Sequence, residues 1–191
     1  MSEYTLNQCN TKMNNLPRDI QTGDLLFFRP TGWVGRLICA VTKSEYCHVG
    51  LAFNGDEGIE IREFREFGYR EILLEQAEHE WGDTSDVWRH VDLCESTSLT
   101  KWDRLLAAGN MRCFPRKYGY FHFAWVAFYM LFFRRVSCWF VPKECDEHAP
   151  TCSEAVCHAY RLIGRDLVPD VPDRLTSPGD IIKAGKVKKV S

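Results

Sequence analysis

The chain has almost no net charge: 24 Lys and Arg against 26 Asp and Glu leave a formal −2 at pH 7. A nucleic-acid partner usually demands a basic surface, so this balance gives no reason to expect one. Internal repeats, low-complexity tracts and a linker that would divide the chain are also missing. So is an apolar run long enough to span a bilayer. The segment Tyr118 to Phe133 has no formal charge, but it is shorter than the roughly 20 residues required and contains His122. Phe121, Ala124, Trp125, Phe128, Leu131 and Phe132 lie on one helical stripe of it. A core helix is the plain reading; peripheral membrane contact or a greasy groove beside an active site are the alternatives.

Cysteine, by contrast, is plentiful. There are nine, an odd number that cannot all pair, and free thiols in a reducing compartment are the simpler expectation. Cys138, Cys145, Cys152 and Cys157 crowd one region together with His148 and His158. Their spacings lack the paired two-residue gaps of a zinc knuckle, so metal binding is an alternative and no metal or other cofactor is expected. At 191 residues, 45% of them hydrophobic, the chain can bury a core as one domain without covalent staples.

Taken in order, residues 1–20 are polar and aperiodic and read as a loosely held arm. Gln21-Thr22-Gly23-Asp24 is a turn, and Leu25 to Phe28 is a buried strand by length and flanks. Trp33, Val34, Leu37, Ile38 and Val41 have helical spacing, which predicts a short helix crossing the core over Gly32 to Thr42. His48 to Phe53 alternates as a strand, Asn54-Gly55 signals a hairpin turn, and Gly58 to Phe64 is the return strand. There Glu63 falls on the face of Ile59 and Ile61, where a carboxylate is costly without a partner. Ile72 to Leu74 and Asp86 to Arg89 add strand material, and Ser98 to Asn110 reads as a helix. Residues 21–182 form the expected domain. The tail from 183 to 191, with Lys183, Lys186, Lys188 and Lys189, reads as a solvated, mobile end.

The chemistry concentrates at Pro150-Thr151-Cys152-Ser153-Glu154. Pro150 and Thr151 are a start signal, Ala155, Val156, Ala159, Tyr160, Leu162 and Ile163 recur at helical spacing, and Gly164 stops the helix. A thiol on the first turn sits among unpaired backbone N–H groups at the positive end of the helix dipole, which favours thiolate. Cys152 is thus a candidate nucleophile and His48 a candidate base. A carboxylate on the adjacent strand, Glu63 or Glu60, is suited to orient the ring through its far nitrogen.

The order of these motifs carries a resemblance. Gly23-Asp24-Leu-Leu-Phe-Phe, Ser44-Glu-Tyr-Cys-His48-Val-Gly-Leu, a Glu-rich strand and Cys152-Ser153-Glu154-Ala-Val are similar to the circularly permuted, YiiX-like branch of the NlpC-type papain-fold cysteine hydrolases, relatives of the lecithin retinol acyltransferase-like group. In that branch the histidine strand precedes the cysteine helix. Leu175-Thr176-Ser177-Pro178-Gly179-Asp180 resembles its closing Ser-Pro turn. The resemblance implies an α+β, papain-like fold: a small antiparallel sheet or partial barrel packed against helices. It also implies Cys152 as nucleophile, His48 as base and Glu63, with Glu60 as alternative, as third member. Relatives run an aromatic pair straight into Cys-Ser-Glu. Here residues 141–151 separate Trp139-Phe140 from Cys152, an insertion fit for a lid or specificity loop.

The function expected is a cysteine hydrolase, either amidase or endopeptidase, or an acyl-ester hydrolase or acyltransferase. Its substrate would be a cell-wall peptide amide or a lipid or acyl ester. A catalytically silent papain-fold binding or virion module is the alternative. The start Met1-Ser2-Glu3-Tyr4 lacks the features of a signal peptide, so cytoplasmic synthesis is expected, with virion or host-envelope association left open.

Overall fold

The computed structural model describes residues 19–65, 68–81, 85–94, 101–111 and 150–190. The Tyr118–Phe133 stripe, the 141–151 insertion up to its last two residues, Cys138, Cys145 and His148 therefore lie outside the described residues. The described elements are β1 (Leu25–Phe28), α1 (Trp33–Thr42), β2 (His48–Gly55), β3 (Gly58–Arg65), β4 (Gly68–Leu73), α2 (Leu74–Trp81), β5 (Ser85–His90), α3 (Val91–Cys94), α4 (Lys101–Asn110), α5 (Cys152–Arg161), a 3-10 turn (Asp173–Leu175), α6 (Pro178–Lys183) and β6 (Val187–Lys189). The strands form one six-stranded sheet in the order β4-β3-β2-β1-β5-β6. Each neighbouring pair is antiparallel.

Strand alternation divides the core in two. Leu25 and Phe27 of β1, Val49 and Leu51 of β2 and Phe64 of β3 face α5, whose Ala155, Val156, Ala159 and Tyr160 pack onto them. Leu26, Phe28, Ala52 and Ile61 point the other way and are covered by Leu74 and Ala77 of α2. A sheet buried on both faces explains why β1 is a continuous apolar run. Gly23 and Asp24 anchor the entry to β1. Gly23 takes φ +89° and its carbonyl accepts the Tyr160 hydroxyl of α5. The buried Asp24 carboxylate accepts Arg89 Nε and Nη2 of β5, both at 2.8 Å.

Some of the sequence expectations need correction. The helix over residues 33–42 does not cross the core: Trp33 is 77% and Leu37 55% exposed, and its only buried residue is Thr42. Helical spacing shows that one face is apolar, not that a neighbour covers it. The hairpin reverses at Asp56-Glu57, because Asn54 and Gly55 still pair, with Ile59 and Gly58. The arm is fastened at its end, where Ile20 is buried and the Asp19 carbonyl accepts Arg89 Nη2. The basic tail is not a free end. Lys183 closes α6, and Val187–Lys189 pairs with β5 as an edge strand. There Val187 is buried in the core and Lys189 Nζ lies 2.9 Å from Asp86. Lysines are common on edge strands, where they discourage pairing with other chains, so charge alone did not mark the segment as loose.

Removing residues 186–191 is expected to cost at least ~2 kcal/mol, chiefly from Val187 burial, read as a lower urea midpoint. An unchanged midpoint would return the segment to a solvated tail.

Candidate active site

Cys152 is the first residue of α5. Thr151 caps the helix by accepting from the Glu154 backbone N–H, and the Glu154 side chain accepts from the Thr151 N–H at 3.2 Å. This reciprocal box satisfies the N–H groups of Thr151 and Glu154 and does not engage that of Cys152. Ser153 donates to the Thr176 carbonyl at 2.5 Å, tying the first turn to the segment before α6. That segment is held in turn by a second box, Ser177 with Asp180. Gly179 lies so close to Ser44 that a Cβ would approach within 2.7 Å of its Cβ. The late Ser-Pro-Gly turn thus braces the loop before β2 against the start of α5.

His48 opens β2 and is buried. Its ring stacks on Trp81 of α2, centroids 5.0 Å apart and planes 12° from parallel, and contacts Phe28 at 5.7 Å. Nε2 donates to Glu63 Oε2 at 2.5 Å. The ring also hydrogen-bonds the Cys152 sulfur, and with Nε2 engaged, Nδ1 is the nitrogen left for it. The sulfur receives further hydrogen bonds from the backbone N–H groups of Val49 and Ser153. Cys152, His48 and Glu63 are therefore brought together. Glu60 is not: it faces Phe53 and Leu73 across the sheet, nearer the hairpin end, and its carboxylate lies beside Gly55.

Electrostatics follow from this geometry. Burial alone would raise the Cys152 thiol, but the charge of His48 and the hydrogen bonds from His48, Val49 and Ser153 carry it below the ordinary thiol value. Burial would lower His48, yet the charges of Cys152 and Glu63 push it up to about 9. Burial likewise opposes ionisation of Glu63, and the charges of His48 and Arg70 bring it down to about 2. Each of these shifts favours the charged form: thiolate at Cys152, imidazolium at His48 and carboxylate at Glu63. Elsewhere burial governs: Cys47 is pushed up to about 12 and Cys157 well above the usual thiol range. Those thiols are inert beside Cys152.

Sequence reasoning missed Gly50, Arg70, Glu80 and Trp81. A Cβ at Gly50 would lie 2.8 Å from Ile61 Cγ2 and 3.3 Å from Glu63 Cβ, so the absent side chain leaves room for Glu63 to reach His48. Arg70 pairs with Glu63 across the β3–β4 hairpin, in which Arg65 opposes Gly68. Counting back from Gly68 as the first residue of a return strand would have found it. Glu80 and Trp81 arrive on α2, an element whose weak apolar pattern gave no sequence signal.

Replacing Glu63 by Gln is expected to drop the His48 pKa from about 9 towards its ordinary 6.5, followed by NMR of the ring; Glu60→Gln leaves it in place. The same pair shapes stability. The His48 contribution is full below pH 6.5 and lost as pH rises through about 9. The Glu63 contribution is full above pH 4.5 and lost as pH falls through about 2. Wild-type stability should therefore be greatest between those limits, and Glu63→Gln should flatten both flanks in a urea series.

No protein-family model matches the sequence, and no curated protein matches it. Among solved structures it is similar to one described as the metalloprotein YiiX from Escherichia coli O157:H7, DUF1105. The TM-score is 0.63 at 18% identity, covering 90% of this chain and 96% of that one. Among the described residues here, no group of three or more His, Cys, Asp and Glu side chains could hold a metal ion, so no metal site is assigned. Cys157 and His158, offered earlier as metal ligands, differ in setting: the first is buried in the core and the second partly exposed on α5. What the likeness shows is the architecture: this chain is an α+β protein with the fold of YiiX.

Proposed function

We propose that this chain is a cysteine-dependent hydrolase or acyltransferase, a circularly permuted relative of the NlpC-type papain folds. It works through a thioester on Cys152, with His48 as acid and base and Glu63 as the third member. The observation that carries this reading is a thiol on the first turn of a helix, hydrogen-bonded to an imidazole whose other nitrogen is held by a fully buried carboxylate.

The Cys152 thiolate attacks the carbonyl carbon of an amide or ester, forming the S–C bond as the carbonyl pair moves to oxygen. The Cys152 N–H, at the positive end of α5, is suited to receive that oxyanion, an interaction worth roughly 3–4 kcal/mol per donor in known cases. Imidazolium His48 gives its Nδ1 proton to the leaving amine or alkoxide as that bond breaks, and a thioester remains. Neutral His48 then takes a proton from water or an acceptor alcohol, which attacks the thioester and expels Cys152 thiolate. Glu63 holds Nε2–H throughout, so the mobile proton is the one at Nδ1. Water and an alcohol use the same residues, so hydrolysis and transfer share this mechanism. Peptide amides and lipid or acyl esters both offer the required carbonyl.

An activated acyl ester should add its acyl mass to Cys152 by intact-protein mass spectrometry, and Cys152→Ala should lose both this adduct and all turnover of acyl esters or muropeptides. His48→Ala should slow turnover about 100-fold or more. The rate is expected to rise below the usual thiol range and to fall as pH passes about 9, where His48 gives up its proton. Unchanged turnover in Cys152→Ala would sink the reading.

A further inference from the structure

The carboxylate that orients His48 is itself held from behind. While Glu63 Oε2 accepts from His48, Oε1 accepts from Arg70 Nε at 2.6 Å and lies 2.5 Å from Nη2. The same guanidinium donates from Nη1 to Glu80 Oε1 at 3.1 Å and from Nη2 to Glu80 Oε2 at 2.7 Å. Glu80 also accepts from Arg65 Nη1 at 2.8 Å. Arg65 lies over the Trp81 ring, 4.6 Å from its centroid, and Trp81 stacks on His48. The network around Glu63 draws on four elements: His48 from β2, Arg65 on its own strand, Arg70 from β4 and Glu80 from α2.

Two features distinguish this from an ordinary surface ion pair. Glu63 has no exposed surface, whereas Arg70 is 29% exposed and already has a bidentate partner in Glu80. One buried carboxylate is also shared between two cations on opposite oxygens. A carboxylate held only by the ring could rotate about its own axis and carry the imidazole with it. With Oε1 locked by a planar fork, Oε2 has one direction left.

We propose that Arg70, held by Glu80, is a positioning residue: it fixes Glu63 so that Nε2 of His48 stays occupied and Nδ1 stays aimed at Cys152. The inference rests on the catalytic reading of Cys152, His48 and Glu63 above. It has an electrostatic signature that a purely structural role lacks. Arg70 places a positive charge behind the site, which favours thiolate over thiol and loss of the imidazolium proton. Removing it should move both limbs of the pH profile upward; removing Glu63 should move both downward.

The experiment is the pH dependence of Cys152 alkylation by iodoacetamide in the full chain, which needs no substrate. Wild type should alkylate at pH values below the ordinary thiol range. In Arg70→Gln the acid limb is expected to shift up by about half a pH unit or more, because a positive charge behind the site is lost. Arg70→Lys should keep the limb near its wild-type position, since charge is retained, yet slow ester turnover because the fork is lost. Glu80→Gln should slow turnover with a smaller shift. Thermal melts identify any variant that fails to fold, in which case Arg70→Lys carries the test. Limbs unmoved in a folded Arg70→Gln, or full turnover in Arg70→Lys, would overturn the role of Arg70 and leave the catalytic reading intact. A wild-type profile with no reactive thiolate at low pH would overturn both.

Discussion

An ionised carboxylate with no exposed surface is the constraint on which this molecule depends. Left alone, a buried charge costs several kcal/mol, and breaking a buried pair typically costs about 3–5 kcal/mol. Glu63 is tolerated because the fold surrounds it: Gly50 gives it space, His48 and Arg70 take one oxygen each, and α2 closes the opening with Glu80 and Trp81. These groups come from three elements, β2, β4 and α2, so the sheet register and the α2 contact must both be correct for the carboxylate to stay charged.

The thiol lies on the other side of the same construction. The helix that carries Cys152 packs on the sheet face opposite α2, and the groups of the site meet where β2 begins. His48 is the first residue of that strand, with its ring on the α2 side, while the backbone N–H of Val49 reaches the sulfur. The site is therefore a junction at a strand end, where side chains from both faces can meet. The supports around it are backbone devices. Two capping boxes and a close glycine contact fix the start of α5 against the loop before β2.

The same logic separates this cysteine from its neighbours. Cys47 precedes His48 and Cys157 follows Cys152 on one helix, yet burial raises both thiols, and at Cys157 the charges of Asp173 and Asp166 raise it further. Cys152 is lowered because a cation and two backbone donors converge on it. Reactivity is decided by what packs around a thiol rather than by the residue type.

Much of this was legible in the chain. The Pro-Thr-Cys-Ser-Glu start signal marked the helix, alternation over His48 to Phe53 and Gly58 to Phe64 marked the strands, and the misfit of Glu63 among Ile59 and Ile61 marked it as needing a partner. Those are local patterns, set by residues within a turn or a strand of one another. Local pattern did not decide between Glu60 and Glu63, because the choice depends on strand register and on which end of the sheet the cysteine helix caps. Nor did it place Arg70, Glu80 and Trp81, reject the core position of α1, or turn the lysine-rich end into an edge strand. Each of those depends on which surfaces meet. The sequence by itself determined which groups have the chemistry; only packing, which brings residues 48, 63, 70 and 152 within bonding distance, decided which of them share a charge.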